Sequence, residues 1–145
     1  MLRALVFLAS AIPLLAANSP IFPPFRILEN LYYVGDEDLA CYLIVTPQGS
    51  ILINTGYEFS VPDIRTRMKT LGFRFTDIKI LLVTHAHSDH AAGMATMKKL
   101  TGAKMLAMER EAPLLESGED GRRAPGLPGR LPADVTANPE NRPRK

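Results

Sequence analysis

Cysteine is almost missing from this 145-residue chain, which has only Cys41. A single thiol excludes an internal disulfide, so thiol usage does not separate oxidising from reducing compartments. Tryptophan is absent and aromatics are few, although apolar content is ordinary for a soluble protein. Excess charge is scarce as well. A formal net charge of +2 is too small to point to nucleic acid or an anionic membrane as partner. That excess lies wholly near the C-terminus: residues 1–117 hold 11 basic and 11 acidic side chains, and residues 118–145 hold 6 and 4. No internal repeat is visible, and no apolar run is long enough to span a membrane. Histidine is equally scarce. The three present all fall within six residues, His85 to His90.

The length allows one domain with a sizeable core. At the N-terminus, Arg3 is followed by an apolar run from Ala4 to Leu15 and then by small residues, Ala16-Ala17-Asn18-Ser19. This is the pattern of a secretory signal peptide over residues 1–17, with cleavage near Ala17. An uncleaved anchor is the alternative. Cleavage implies a periplasmic or secreted protein with no stable membrane association.

From Phe25 onward the chain alternates strand and helix signals. Phe25 to Leu28 and Leu31 to Val34 read as short strands around Glu29-Asn30. Cys41 to Val45 and Ser50 to Ile53 read as a hairpin about Thr46-Pro47-Gln48-Gly49. Their continuous apolarity predicts a sheet covered on both faces. Ser60 is a candidate N-cap for a helix whose inner stripe is Val61, Ile64, Met68 and Leu71, with Arg65, Arg67 and Lys69 on the other faces. A central strand, Ile80 to Val83, follows. A second helix after His90 is predicted to turn Ala91, Ala95 and Leu100 inward and to stop at Gly102. Lys104 to Ala107 reads as a strand and Glu111 to Glu116 as a helical turn. The fold class is therefore α/β with mixed pairing. Residues 118–145, with five Pro, four Gly and five Arg, read as a disordered tail.

The chemistry concentrates where the apolar strand ends, at Thr84-His85-Ala86-His87-Ser88-Asp89-His90. Neutral imidazole and carboxylate are good zinc donors. Alternate residues of a turn can face the same way, so His85 and His87 can share one ion, with Asp89 and His90 facing a second. Two adjacent metals can share a water acidic enough to give hydroxide at neutral pH. A histidine-rich surface loop, or an Asp89 that merely starts the next helix, is the plainer alternative. It explains four such residues in so short a span poorly.

This motif resembles the His-x-His-x-Asp-His signature of the metallo-β-lactamase superfamily. Further segments are similar to the third subgroup of class B β-lactamases: Asn30 to Gly35, Thr46 to Gly49, Ile51 to Gly56, Leu71-Gly72-Phe73 before Asp77-Ile78-Lys79, and Ala112 to Gly118. The resemblance covers about residues 25–118, and residues 18–117 correspond to the N-terminal half of the family domain. It implies the first half of an αββα sandwich and a two-zinc centre, with His85 and His87 on one Zn2+ and Asp89 and His90 on the other. It also implies β-lactam ring hydrolysis by zinc-bound hydroxide, which Asp89 orients, and a small-molecule substrate. Asn54 falls where many family members carry Asp, and the resemblance makes it a supporting group, not a ligand.

In that family each zinc takes one more histidine from the second half, and this chain has no fourth histidine. Cys41, early in a strand, is a poor substitute. The expectation is a zinc hydrolase by family that is truncated, and weakly active or inactive as this polypeptide, with one sheet face left open. Three alternatives stand beside it: a non-catalytic fragment with a partial zinc site, a thioester or lactone hydrolase of the same fold, and an interaction module using the basic tail. The composition after Gly118 also fits an out-of-frame stretch of GC-rich DNA.

Overall fold

The computed structural model describes residues 22–118, so the expected signal peptide (1–17) and residues 119–145 of the expected tail lie outside the described residues. Six strands form one mixed sheet in the order β1-β2-β3-β4-β5-β6. They are β1 Phe25–Leu28, β2 Leu31–Tyr33, β3 Tyr42–Thr46, β4 Gly49–Ile53, β5 Ile78–Leu82 and β6 Lys104–Leu106. The first four pair antiparallel as short-looped neighbours. Helix α1 (Val61–Thr70) then carries the chain to β5, and α2 (Ser88–Ala91) and α3 (Met94–Thr101) carry it to β6. These longer crossovers make β4, β5 and β6 parallel. Helix α4 (Ala112–Ser117) follows β6.

The parallel register decides where a site can form. Leu52 pairs with Leu81 and Ile53 with Leu82, and Leu81 and Leu82 pair in turn with Met105 and Leu106. The three strands therefore end together, and the segments after them emerge at one edge. Clefts in α/β sheets form outside the carboxyl ends of parallel strands for this reason.

One face of the sheet is well covered. Leu43, Leu52, Leu81 and Met105 stand in one row across four strands. They are buried with Ile64 and Met68 of α1 and Met94 and Met97 of α3. The expectation of cover on both faces is corrected. Leu31, Tyr33, Tyr42, Ile44, Ile51, Ile53, Ile80, Leu82 and Leu106 share the opposite face, and all are only half-buried. Continuous apolarity marks two faces that resist water, but the described helices cover just one.

Several local expectations also change. Ser60 makes no capping hydrogen bond, because it ends a 3-10 turn, Glu58–Ser60, and is already helical when α1 begins. Its hydroxyl is buried with no partner among the described residues. Arg67 points inward at 3% exposure, since the buried stripe is wide enough to include the position three after Ile64. Its guanidinium Nε donates to the Phe22 carbonyl at 3.1 Å, giving the buried cation a polar partner. The motif strand is fifth of six, so it is not central.

The helix after the motif is two pieces, and it begins at Ser88 instead of after His90. The break at Ala92-Gly93 resets the helical phase. Met94 and Met97 become the inner side, while Ala95 and Leu100 are exposed. Gly93 is needed there because a Cβ would meet the Thr55 Oγ1 at 3.0 Å and the Thr55 carbonyl at 3.1 Å. Gly102 stops α3 in the left-handed region, at φ 69°. Among the described residues no helix is long and apolar enough to cross a membrane.

The asymmetry of the two faces gives a stability test. Leu52→Ala should cost about 2–5 kcal/mol, the usual range for a buried leucine. Ile51→Ala, one residue away on the open face, should cost clearly less. Urea unfolding of both variants measures this, and equal losses would show that the two faces are equally buried.

Candidate metal centre

The motif begins where β5 runs out. Val83 is still held to the sheet by its N–H to the Leu106 carbonyl at 3.1 Å. Beyond it, Ala86 and Ser88 are buried while His85, His87, Asp89 and His90 are half-buried. The alternation explains the small residues. They turn toward the core, so the four donor side chains face outward together. Helix α2 follows at once, and Asp89 lies in its first turn, where a carboxylate suits the positive end of the helix.

The donor atoms fall into two pairs. His85 Nε2 and His87 Nδ1 are 3.0 Å apart, and Asp89 Oδ2 and His90 Nε2 are 3.5 Å apart. A tetrahedral zinc with Zn–N bonds of 2.0–2.1 Å separates its ligand atoms by roughly 3.3 Å. Each pair thus has about the length of one edge of such a tetrahedron, and the donor chemistry fits zinc. The His85 ring lies 4.3 Å from that of His87 and 4.0 Å from that of His90, between centroids. Among the described residues, however, no three His, Cys, Asp or Glu side chains form a group able to hold a metal ion.

The turn is held from both sides. Asn54, 3% exposed, follows β4 with φ 61°, a left-handed conformation that Asn tolerates better than most residues. Its Oδ1 accepts from the Thr84 N–H and the Thr84 hydroxyl, each at 3.0 Å, and its Nδ2 lies 3.0 Å from His90 Nδ1. The Thr55 N–H donates to the His90 carbonyl at 2.9 Å. From the β6 side, Glu111 Oε2 accepts from the Ala86 N–H at 2.7 Å. This contact pins the residue between the two paired histidines. Sequence reasoning did not find Glu111, because its partner is a backbone group that leaves no mark in side-chain spacing.

Cys41 takes no part. Burial pushes its thiol up to about 12, with the Asp36 carboxylate adding to the rise and Arg67 opposing it. Tyr33 is also raised, first by burial. An open cleft of about 660 Å³ lies beside the motif, lined by Phe22, Asp36, Glu37, Asp38, Leu39, Tyr57, Phe59, Asp63, Arg67 and Asp89. Asp89 is the motif donor that reaches it.

Comparison with known proteins agrees with the arrangement of the chain. The family model of the metallo-beta-lactamase superfamily matches residues 34–144. A metal-dependent hydrolase of the UPF0173 group from Pyrococcus furiosus is 50% identical over 34 residues, covering 23% of this chain and 15% of that protein. Among solved structures, the native FEZ-1 metallo-beta-lactamase of Legionella gormanii is similar at 56% identity and TM-score 0.67, covering 68% of this chain and 37% of that one. A beta-lactamase from Chitinophaga pinensis gives 49% and 0.73, covering 83% and 45%. The class B3 di-zinc enzyme LRA-12 from an Alaskan soil metagenome gives 45% and 0.70, covering 81% and 47%. The chain thus spans less than half the length of each of these relatives and corresponds to the N-terminal half.

The raised Cys41 pKa makes a direct prediction. A thiol that titrates near 12 instead of near 8.5 stays protonated through neutral pH, and only the thiolate reacts. Iodoacetamide at mildly alkaline pH should therefore modify native Cys41 at least roughly tenfold more slowly than the urea-unfolded chain. Equal rates would contradict the burial. Glu111→Ala should leave the Ala86 N–H unpaired at a cost of about 1–3 kcal/mol, read as faster amide exchange at Ala86 than elsewhere in the turn.

Proposed function

Because the chain belongs to the metallo-beta-lactamase superfamily, we propose that its histidine-rich turn is the N-terminal share of a two-zinc hydrolytic centre for β-lactams. We propose further that this polypeptide alone turns over slowly or not at all. The observation that carries the first statement is the pairing of donor atoms, His85 Nε2 with His87 Nδ1 and Asp89 Oδ2 with His90 Nε2. In this proposal His85 and His87 hold one zinc, and Asp89 and His90 hold the other. Bound zinc supplies Lewis acidity, making a nearby water nucleophilic close to neutral pH. In this proposal Asp89 also orients that water toward the lactam carbonyl, and its position on the cleft wall supports this. Asn54, Thr55 and Glu111 keep the donors in place from the sheet edge.

The second statement follows from ligand count and charge. A catalytic zinc normally has three protein ligands, and each pair offers two. Without metal the cleft presents Asp36, Glu37, Asp38, Asp63 and Asp89 against Arg67, so until zinc offsets that charge it repels a substrate that carries a carboxylate. The absence of a third donor for either pair among the described residues also supports a second possibility, a non-catalytic fragment that binds zinc weakly. β-Lactam as substrate is supported by the relatives that are beta-lactamases. Export to the periplasm or beyond is supported by the signal-like N-terminus.

Purified chain supplied with zinc should hydrolyse a chromogenic cephalosporin no faster than buffer. Chelator-sensitive hydrolysis well above that would overturn the low-turnover statement. Equilibrium dialysis should show zinc bound at micromolar levels. His85→Ala and His87→Ala should each weaken it by more than the roughly 10–100-fold that loss of a supporting contact costs. No zinc bound by the unsubstituted chain would overturn the metal centre itself.

A further inference from the structure

The side chain of Asn54 is an amide with two unlike ends, and the turn fixes which end faces which neighbour. The Thr84 backbone N–H lies 3.0 Å from one amide atom. A backbone N–H can only donate, so that atom must be the oxygen. The Thr84 hydroxyl approaches the same oxygen at 3.0 Å. Flipping the amide would set two donors against the Thr84 N–H in a 3%-exposed position, where an unmet donor is costly. The nitrogen end is therefore committed to the other side. There it lies 3.0 Å from His90 Nδ1 and 3.4 Å from the Ala40 carbonyl. An amide nitrogen has hydrogens and no acceptor capacity.

We propose that Asn54 is a positioning residue that holds neutral His90 in one tautomer, with Nδ1 as bare acceptor and the ring proton on Nε2. That proton then sits on the nitrogen 3.5 Å from Asp89 Oδ2. The chain of contacts runs in one direction, from the Asn54 amide to His90 Nδ1, and from His90 Nε2 toward the Asp89 carboxylate. Metal-bound histidine needs the opposite pattern at Nε2, a bare lone pair there with the other nitrogen donating to an acceptor. For Nε2 to bind a metal, the proton must move to Nδ1, and there it meets the hydrogens of Asn54. The Asp89–His90 pair is thus held below its intrinsic zinc affinity by one side chain that touches no metal. The His85–His87 pair has no such contact with Asn54. This inference rests on the proposed role of Asp89 and His90 as zinc ligands for its effect on affinity, but not for the tautomer itself.

Aspartate in place of Asn54 reverses the pattern. A carboxylate accepts at both oxygens, so it satisfies the Thr84 N–H and also accepts from a protonated His90 Nδ1, while giving up the 3.4 Å contact to the Ala40 carbonyl. Asp tolerates the left-handed backbone at φ 61° about as well as Asn. Glycine keeps that backbone and removes the amide altogether.

The test uses the 15N-labelled full chain without metal, at mildly alkaline pH where free imidazole is neutral. Long-range 1H–15N spectra report which ring nitrogen carries the proton, and the loss of one signal set in His90→Gln assigns it. The unsubstituted chain should show His90 protonated on Nε2. Asn54→Asp should move the proton to Nδ1 and raise zinc affinity at the Asp89–His90 pair by roughly tenfold or more. Asn54→Gly should give a mixture of the two tautomers, which keeps the test available if the aspartate variant does not fold. His90 protonated on Nδ1 in the unsubstituted chain would overturn the inference, as would the same tautomer in all three proteins. A tautomer that moves as described, with no zinc bound by any variant, would uphold the role of Asn54 and overturn the metal centre.

Discussion

The hydrogen bonds of one buried amide, that of Asn54, join the end of β4 to both ends of the histidine-rich turn. They depend on strand register. Leu52 pairs with Leu81 and Ile53 with Leu82, so the residue after β4 arrives beside the residues after β5. A slip of one residue would turn Asn54 to the other face and separate it from Thr84 and His90. The same register places Leu52 and Leu81 in the covered row of the core. Packing of that row against α1 and α3 therefore also sets the site, and the left-handed backbone at Asn54 is the local cost of turning the amide into the motif.

What the turn presents is two pairs of donors, not one closed cage. This follows from how the chain enters and leaves it. A bend over Thr84 to Ala86 brings His85 and His87 side by side, while the start of α2 carries Asp89 to the cleft with His90 beside it. Half-burial of all four lowers the local dielectric without enclosing them, which strengthens their attraction for a cation. The acidic lining of the cleft works in the same sense for a cation and in the opposite sense for an anionic substrate.

Much of this was legible in the sequence because it is periodic or concentrated. The strands, the stop at Gly102 and the cluster from His85 to His90 each leave a local mark, and the α/β class with mixed pairing follows from their order. Other features depend on phase and partner, which are not local. Periodicity alone turns Ala95 and Leu100 inward, because the break at Ala92-Gly93, needed for contact with Thr55, cannot be seen without Thr55. In a sequence pattern charge outweighs position and turns Arg67 outward, whereas the structure buries its stem and gives its head the Phe22 carbonyl. Asn54 was recognised as a supporting group, but which end of its amide meets His90 is set by Thr84, thirty residues away. Glu111 was missed altogether. One expectation from family likeness, an apolar sheet face left half-covered, agrees with the burial of the described residues.

The central claim is that the motif binds zinc through imidazole and carboxylate alone. X-ray absorption at the zinc edge of the zinc-loaded chain tests it most directly, since it reports the atoms around the metal without requiring turnover. The account predicts a first shell of nitrogen and oxygen only, with the outer scattering pattern of imidazole, both reduced in His85→Ala. A sulfur neighbour, which could come only from Cys41 or a methionine, or a shell without imidazole scattering, would contradict it.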